Sequence, residues 1–170
     1  MRYDECLKFI LKAEGGYVND PTDRGGATNK GITQRTYNAW LTARQLPLQS
    51  VADITDDDVS DIYKDNYWVE LPRLLDLCVF DAAVQHGRSK AIKFLQQVVG
   101  SPSDGVCGKN TLYAVNTYIL SHGIKELLEA YLRLRRAFYK AIVVNDPTQQ
   151  HFARGWENRV VHLEGVLYGV

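Results

Sequence analysis

Residues 7–33 read LKFILKAEGGYVNDPTDRGGATNKGIT, and the change of texture midway through them decides the fold. Before it, Leu7, Ile10 and Leu11 recur at helical spacing with Lys8 and Lys12 between them, which predicts a helix from about Tyr3 to Ala13. Gly15-Gly16 ends that helix, because glycine takes the left-handed cap conformation without steric cost. From Tyr17 to Gly31 the chain turns to Asn, Asp, Pro, Thr and Gly, with turn chemistry at Asn19-Asp20-Pro21-Thr22 and at Gly25-Gly26. So long and polar a stretch reads as a functional loop with room for a small irregular hairpin.

Outward from that loop, helical patterns follow one another. Thr33 caps a helix carrying Tyr37, Trp40 and Leu41, which Leu46-Pro47 breaks. Thr55 with Asp58 resembles a capping box and opens a helix with Val59, Ile62, Tyr63 and Tyr67. Leu74 to Val84 is apolar almost all round, the mark of a buried central helix, and stops at Gly87. Ser89 is expected to cap the next helix, which carries Ile92, Phe94, Leu95, Val98 and Val99 and ends at Gly100. After a loop from Ser101 to Gly108, one helix runs to Gly123 and a longer one from about Ile124 to Ile142. Asn145-Asp146-Pro147 turns the chain into a last amphipathic helix with Phe152, Trp156, Val160, Leu163 and Leu167. The expected class is mainly α, with one structured polar lobe near the N-terminus. There is no linker, repeat or low-complexity segment, so residues 1–88 and 89–170 are expected to pack as one globular unit.

Bulk properties narrow the function classes. The chain has 170 residues, 45% of them apolar and 11% aromatic, enough for a single core. Twenty basic residues balance twenty acidic ones, whereas a surface that tracks phosphates normally carries a basic excess, so no nucleic-acid partner is expected. Arg133, Arg135 and Arg136 come nearest to a basic patch and read as a solvated helix face. Cys6, Cys78 and Cys107 are odd in number and far apart, as small buried hydrophobes would be, and the four histidines are equally scattered. No metal and no other cofactor is expected. No charged-then-apolar leader opens the sequence and no apolar run reaches membrane-spanning length. The expectations are a monomer made in the cytoplasm, without stable membrane insertion, that acts elsewhere only after release.

Glu14 is the residue with chemistry to explain. It continues the row Leu7, Ile10, Leu11 by one helical step, so its carboxyl leaves from the buried edge of the helix. It also occupies the last turn, where the macrodipole disfavours negative charge. Both effects favour the neutral form, which is what protonating a glycosidic oxygen requires. Periodicity alone also fits a half-exposed glutamate placed there by accident. The loop supplies a second carboxylate: Asp23, flanked by Arg24 and Gly25-Gly26, suits charge stabilisation or water activation, while Asp20 before Pro21 suits a turn. Thr28 and Asn29 fit either water and sugar hydroxyls or the loop's own backbone.

The run Glu14-Gly15-Gly16-Tyr17-Val18-Asn19-Asp20-Pro21, then Asp23, Gly25-Gly26, Thr28-Asn29 and Gly31-Ile32-Thr33, resembles the signature of glycoside hydrolase family 108, lysozyme-like N-acetylmuramidases of phage endolysins and bacterial secretion activators. Tyr63, Tyr67-Trp68, Phe80-Asp81-Ala82-Ala83-Val84 and His86-Gly87 are similar to that family's middle region. Leu95-Gln96, Asp104-Gly105-Val106, Gly108 and Thr111 resemble its predicted peptidoglycan-binding region, and Trp156-Asn158-Arg159 its closing helix. Gln85, Cys107 and Lys109 depart from the family's usual residues. The resemblance implies a lysozyme-like helical fold, peptidoglycan glycan strands as substrate and an acid role for Glu14. The order Glu14, Asp23, Thr28 also resembles phage lysozymes, with the Asp-to-Thr spacing one residue shorter.

Tyr17 and Trp68 are candidates to line a sugar cleft together with Asn29 and His86. Trp156, at helical spacing with Val160, reads better as core, and a buried Asp81 needs a structural partner. The expected function is phage-driven lysis of a host wall by a muramidase. A wall-binding or secretion-assisting protein without catalysis, and a helical interaction domain, are the alternatives.

Overall fold

The computed structural model describes residues 3–14, 17 and 27–169. Among them are seven α-helices and one two-stranded sheet, so the mainly α class holds. They divide into two compact units, one ending at Trp68 and the other beginning at Val69. This division falls earlier than residue 88, because the central apolar helix packs with the later part of the chain.

In the first unit, α1 spans Tyr3–Ala13 and buries Cys6, Leu7, Phe9 and Ile10. Asp4 and Glu5 in its first turn and Lys12 in its last complement the helix dipole. Tyr3 meets Trp68 edge to face at 5.2 Å between ring centroids. The hairpin lies at the far end of the polar stretch: β1 (Thr28–Asn29) pairs antiparallel with β2 (Ile32–Thr33), with Thr28 opposite Thr33 and Asn29 opposite Ile32. Lys30 and Gly31 form its two-residue turn, both at positive φ, the geometry that matches the twist of paired strands. Helix α2 (Gln34–Ala43) starts where Thr33 accepts a hydrogen bond from the Thr36 amide. Helix α3 (Asp56–Tyr67) starts where Thr55 accepts from the Asp58 amide. Tyr37, Leu41, Val51, Ile62 and Tyr63 fill the core of this unit.

In the second unit, α4 (Leu75–His86) is buried continuously from Leu75 to Ala83, as its all-round apolar sequence requires. Helix α5 spans Arg88–Val99. Its cap is Gly87, not Ser89: Gly87 turns the chain directly, so the helix begins before the serine. Helix α6 spans Lys109–Asn145 and is broken at Gly123, which separates the two segments expected from the sequence. Gly87 (φ 83°, ψ 148°) and Gly123 (φ 84°, ψ 158°) share one corner of backbone space that is open essentially to glycine alone. A short 3-10 turn at Pro147–Gln149 leads to α7 (Gln150–Tyr168), which buries Val160, Leu163 and Leu167.

The arginines of α6 are not a solvated face. Arg135 is fully buried, with a guanidinium nitrogen 2.6 Å from Asp81 Oδ2. It also donates to Gln85 Oε1 at 2.7 Å and to the Tyr139 hydroxyl at 2.9 Å. Arg159 of α7 donates to the other Asp81 oxygen at 2.9 Å. Arg136 chelates Glu157 and Glu164, and only Arg133, against Glu126, lies in solvent. The expected partner for a buried Asp81 is thus a pair of arginines. Trp156 stacks on Tyr139 at 5.1 Å and 16°. Cys6 and Cys78 are buried, but Cys107 is only partly covered, and none of the three is in a disulfide.

Candidate functional site

Glu14 extends α1 by one residue, its amide donating to the Ile10 carbonyl at 3.3 Å. Because Leu7 and Ile10 anchor the same edge of the helix in the core, the Glu14 side chain emerges half-buried. The hairpin turn comes up against it. A Cβ placed on Gly31 would fall 3.1 Å from Glu14 Oε2 and 2.5 Å from the Tyr63 hydroxyl, so only a glycine lets these three groups approach. Tyr63 fixes the turn from the other side by donating its hydroxyl to the Lys30 carbonyl at 2.9 Å. Its ring lies 5.5 Å from that of Tyr67. Burial, and then the charge of Glu14, push the Tyr67 phenol above its ordinary range, so it stays protonated. Lys30 turns its ammonium to Asp56 at the start of α3.

The arrangement is a carboxyl at a helix end, enclosed by a glycine turn and two phenols of α3. Such a group is partly sheltered from bulk water on the side of the turn. It can pass a proton to an oxygen of a bound ligand, the role of the acid in glycoside cleavage.

Thr28 sits half-buried on β1 opposite Thr33, and Asn29 follows it with 9% exposure. The Asn29 side-chain amide donates to the Val51 and Ala52 carbonyls at 3.1 and 3.3 Å, tying the hairpin to the 3-10 turn Val51–Asp53. Tyr17 is half-exposed. Trp68 caps the end of α3 against Tyr3. Asp20 and Asp23 lie outside the described residues. His86 belongs to the second unit, ringed by Phe94, Phe138 and Tyr139, with its Nε2 3.1 Å from the Tyr139 hydroxyl. Burial, with Arg135 and Arg159 adding to it and Asp81 opposing, lowers its pKa to about 4. Among the described residues no three His, Cys, Asp or Glu side chains converge as metal ligands would.

The enclosure by Gly31 and Tyr63 was not read from the sequence, although a signal was present. Tyr63 continues the buried row of Val59 and Ile62, and a buried tyrosine needs a partner for its hydroxyl.

The sequence model of the family described as glycosyl hydrolase 108 matches residues 7–87. A second, described as a predicted peptidoglycan domain, matches residues 90–161. Among solved structures the chain is similar to SagA of Brucella abortus, with 35% identity over 98% of this chain and 94% of that one and a TM-score of 0.74. No curated protein matches the sequence.

Proposed function

As the chain belongs to the glycosyl hydrolase 108 family and is a glycoside hydrolase of peptidoglycan, we propose that it works as an N-acetylmuramidase with Glu14 as its general acid. The bond cut joins N-acetylmuramic acid to N-acetylglucosamine. Glu14 protonates the glycosidic oxygen as its bond to the muramic acid C1 breaks, so the leaving sugar departs as an alcohol. The positive charge that develops on the ring needs an anion nearby, and Asp23 is the group proposed to stabilise it or to orient the incoming water. The water adds its oxygen to C1 and gives up a proton that passes, directly or by way of Asp23, to the Glu14 carboxylate, which restores the acid. Thr28, beside the turn, is proposed to hold that water, and Tyr17, Asn29 and Trp68 remain the proposed sugar contacts, whereas His86 is packed among aromatic rings of the second unit and is not proposed as one.

The observation that carries the reading is the enclosure of the Glu14 carboxyl by the Gly31 turn and Tyr63. A surface glutamate would not need a glycine turn pressed against it. Purified sacculi provide the test. Wild-type protein should release new reducing ends, and Glu14→Gln should do so at least about 100-fold more slowly, the usual contribution of a positioned acid. Equal release by both proteins would remove Glu14 from the mechanism. Soluble products without new reducing ends would overturn hydrolysis of the glycosidic bond.

A further inference from the structure

The first segment of α6 carries a face that the core does not use. Tyr113 is 76% exposed and Leu120 88%. Tyr113, Thr117 and Ser121 follow at four-residue spacing and so form one row along the helix. Tyr118 and His122 form the neighbouring row, their rings stacked at 4.5 Å and 29°. With Val99 at the end of α5, the two rows line a groove of about 330 Å³. That is at the small end of the ~300–1,000 Å³ range of ligand sites, room for one sugar ring and little more.

The hydrogen-bonding state of the groove limits what can occupy it. Thr117 spends its hydroxyl proton on the Tyr113 carbonyl at 2.9 Å, and Ser121 spends its own on the Thr117 carbonyl at 2.9 Å. His122 Nδ1 faces the Tyr118 carbonyl at 3.3 Å, and a proton there leaves Nε2 as an acceptor. The groove thus offers lone pairs and two phenolic hydroxyls beside flat aromatic faces, with no carboxylate, ammonium or guanidinium in its lining. Its complement is a small neutral molecule with an apolar face and donors around its edge. A carboxylate-bearing sugar and a peptide ammonium would alike find no counter-charge there. A pyranose ring with hydroxyls and an acetamido N–H fits both conditions.

We propose that this groove is an N-acetylhexosamine subsite on the second unit, in which Tyr113 and Tyr118 seat one neutral sugar ring of the glycan strand while Thr117, Ser121 and His122 accept its hydrogen bonds. That the ring belongs to peptidoglycan rests on the hydrolase reading above. The subsite gives the second unit a hold on the strand that does not pass through Glu14.

Full-length Glu14→Gln protein, used to prevent turnover, titrated with triacetylchitotriose and followed by NMR of the tyrosine rings tests this. The Tyr113 and Tyr118 resonances should shift saturably. Adding Tyr113→Ala should weaken the affinity read at Tyr118 about tenfold, the loss typical of an aromatic anchor. Tyr113 is too exposed for its truncation to unfold the helix, and Thr117→Val, which removes one acceptor without changing shape, should weaken binding by a similar factor. Rings that do not move, or shifts that neither substitution alters, overturn the proposal. So does a concentration-dependent dimer in sedimentation that Tyr113→Ala abolishes, since the face would then join two copies of the chain. Because the titration reads binding without cleavage, its failure sinks the subsite alone, and failure of wild type to release reducing ends sinks the hydrolase reading alone.

Discussion

A methyl group added at Gly31 would have to share space with the Tyr63 hydroxyl and with Glu14, on a backbone whose φ of +77° already disfavours any side chain. Gly31→Ala should therefore cost about 1–3 kcal/mol in stability. It should also lower hydrolysis of sacculi, because the methyl group must push the Tyr63 hydroxyl aside and crowds Glu14 Oε2. Tyr63→Phe isolates the other contact. It keeps the ring but loses the hydrogen bond to Lys30, a cost of about 0.5–1.5 kcal/mol by denaturant unfolding. A Gly31→Ala protein with wild-type melting and wild-type activity would show that the turn does not hold Glu14. At this scale the sequence was informative for Glu14, since the row from Leu7 through Ile10 aims it. It said less about its surroundings: the row Val59, Ile62, Tyr63 shows a buried hydroxyl in need of a partner, but Gly31 and Tyr63 come to Glu14 from other parts of the chain, so no local pattern joins them.

Helix α4 meets α6 and α7 through Asp81, which faces Arg135 and Arg159. Removing one partner of a buried pair strands the other charge, so Asp81→Asn should destabilise the second unit by about 3–5 kcal/mol. Hydrogen exchange should report the loss in α4–α7, and protection there equal to wild type would contradict it. His86, at the end of α4, makes the same region sensitive to acid. Its folded pKa of about 4 lies below the ordinary 6.5, so between those values the unfolded chain takes up the proton more readily. Stability from this source is full above about 6.5 and is lost as pH falls toward 4. His86→Gln should flatten that part of the urea-midpoint profile against pH, and parallel profiles would rule out His86 as the cause. Helix starts at Thr33 and Thr55 were legible because a cap is a local hydrogen bond. The burial of Arg135 had a signal too: it continues the row Leu128, Tyr131, Leu132 toward Tyr139. Arg133 and Arg136 beside it made that row read as a charged face.

Taken whole, the chain divides at Trp68 and Val69 with no change of composition there to announce it. The matched sequence families, 7–87 and 90–161, follow a different partition. A boundary set by which helix packs with which is a tertiary property, and an unbroken texture conceals it. The second unit has a further peculiarity in its corners at Gly87 and Gly123, where one helix passes to the next through a single residue. Ordinary connections absorb extra residues at little cost. These have no slack to absorb them. One alanine inserted after Gly123 would rotate the rest of the helix by about 100°, taking Leu127, Leu128 and Tyr131 out of register with α4 and α5. Natural variation in chain length should accordingly avoid both corners and collect instead where the connection is exposed, as in the turn at Asp146-Pro147-Thr148 before the last helix.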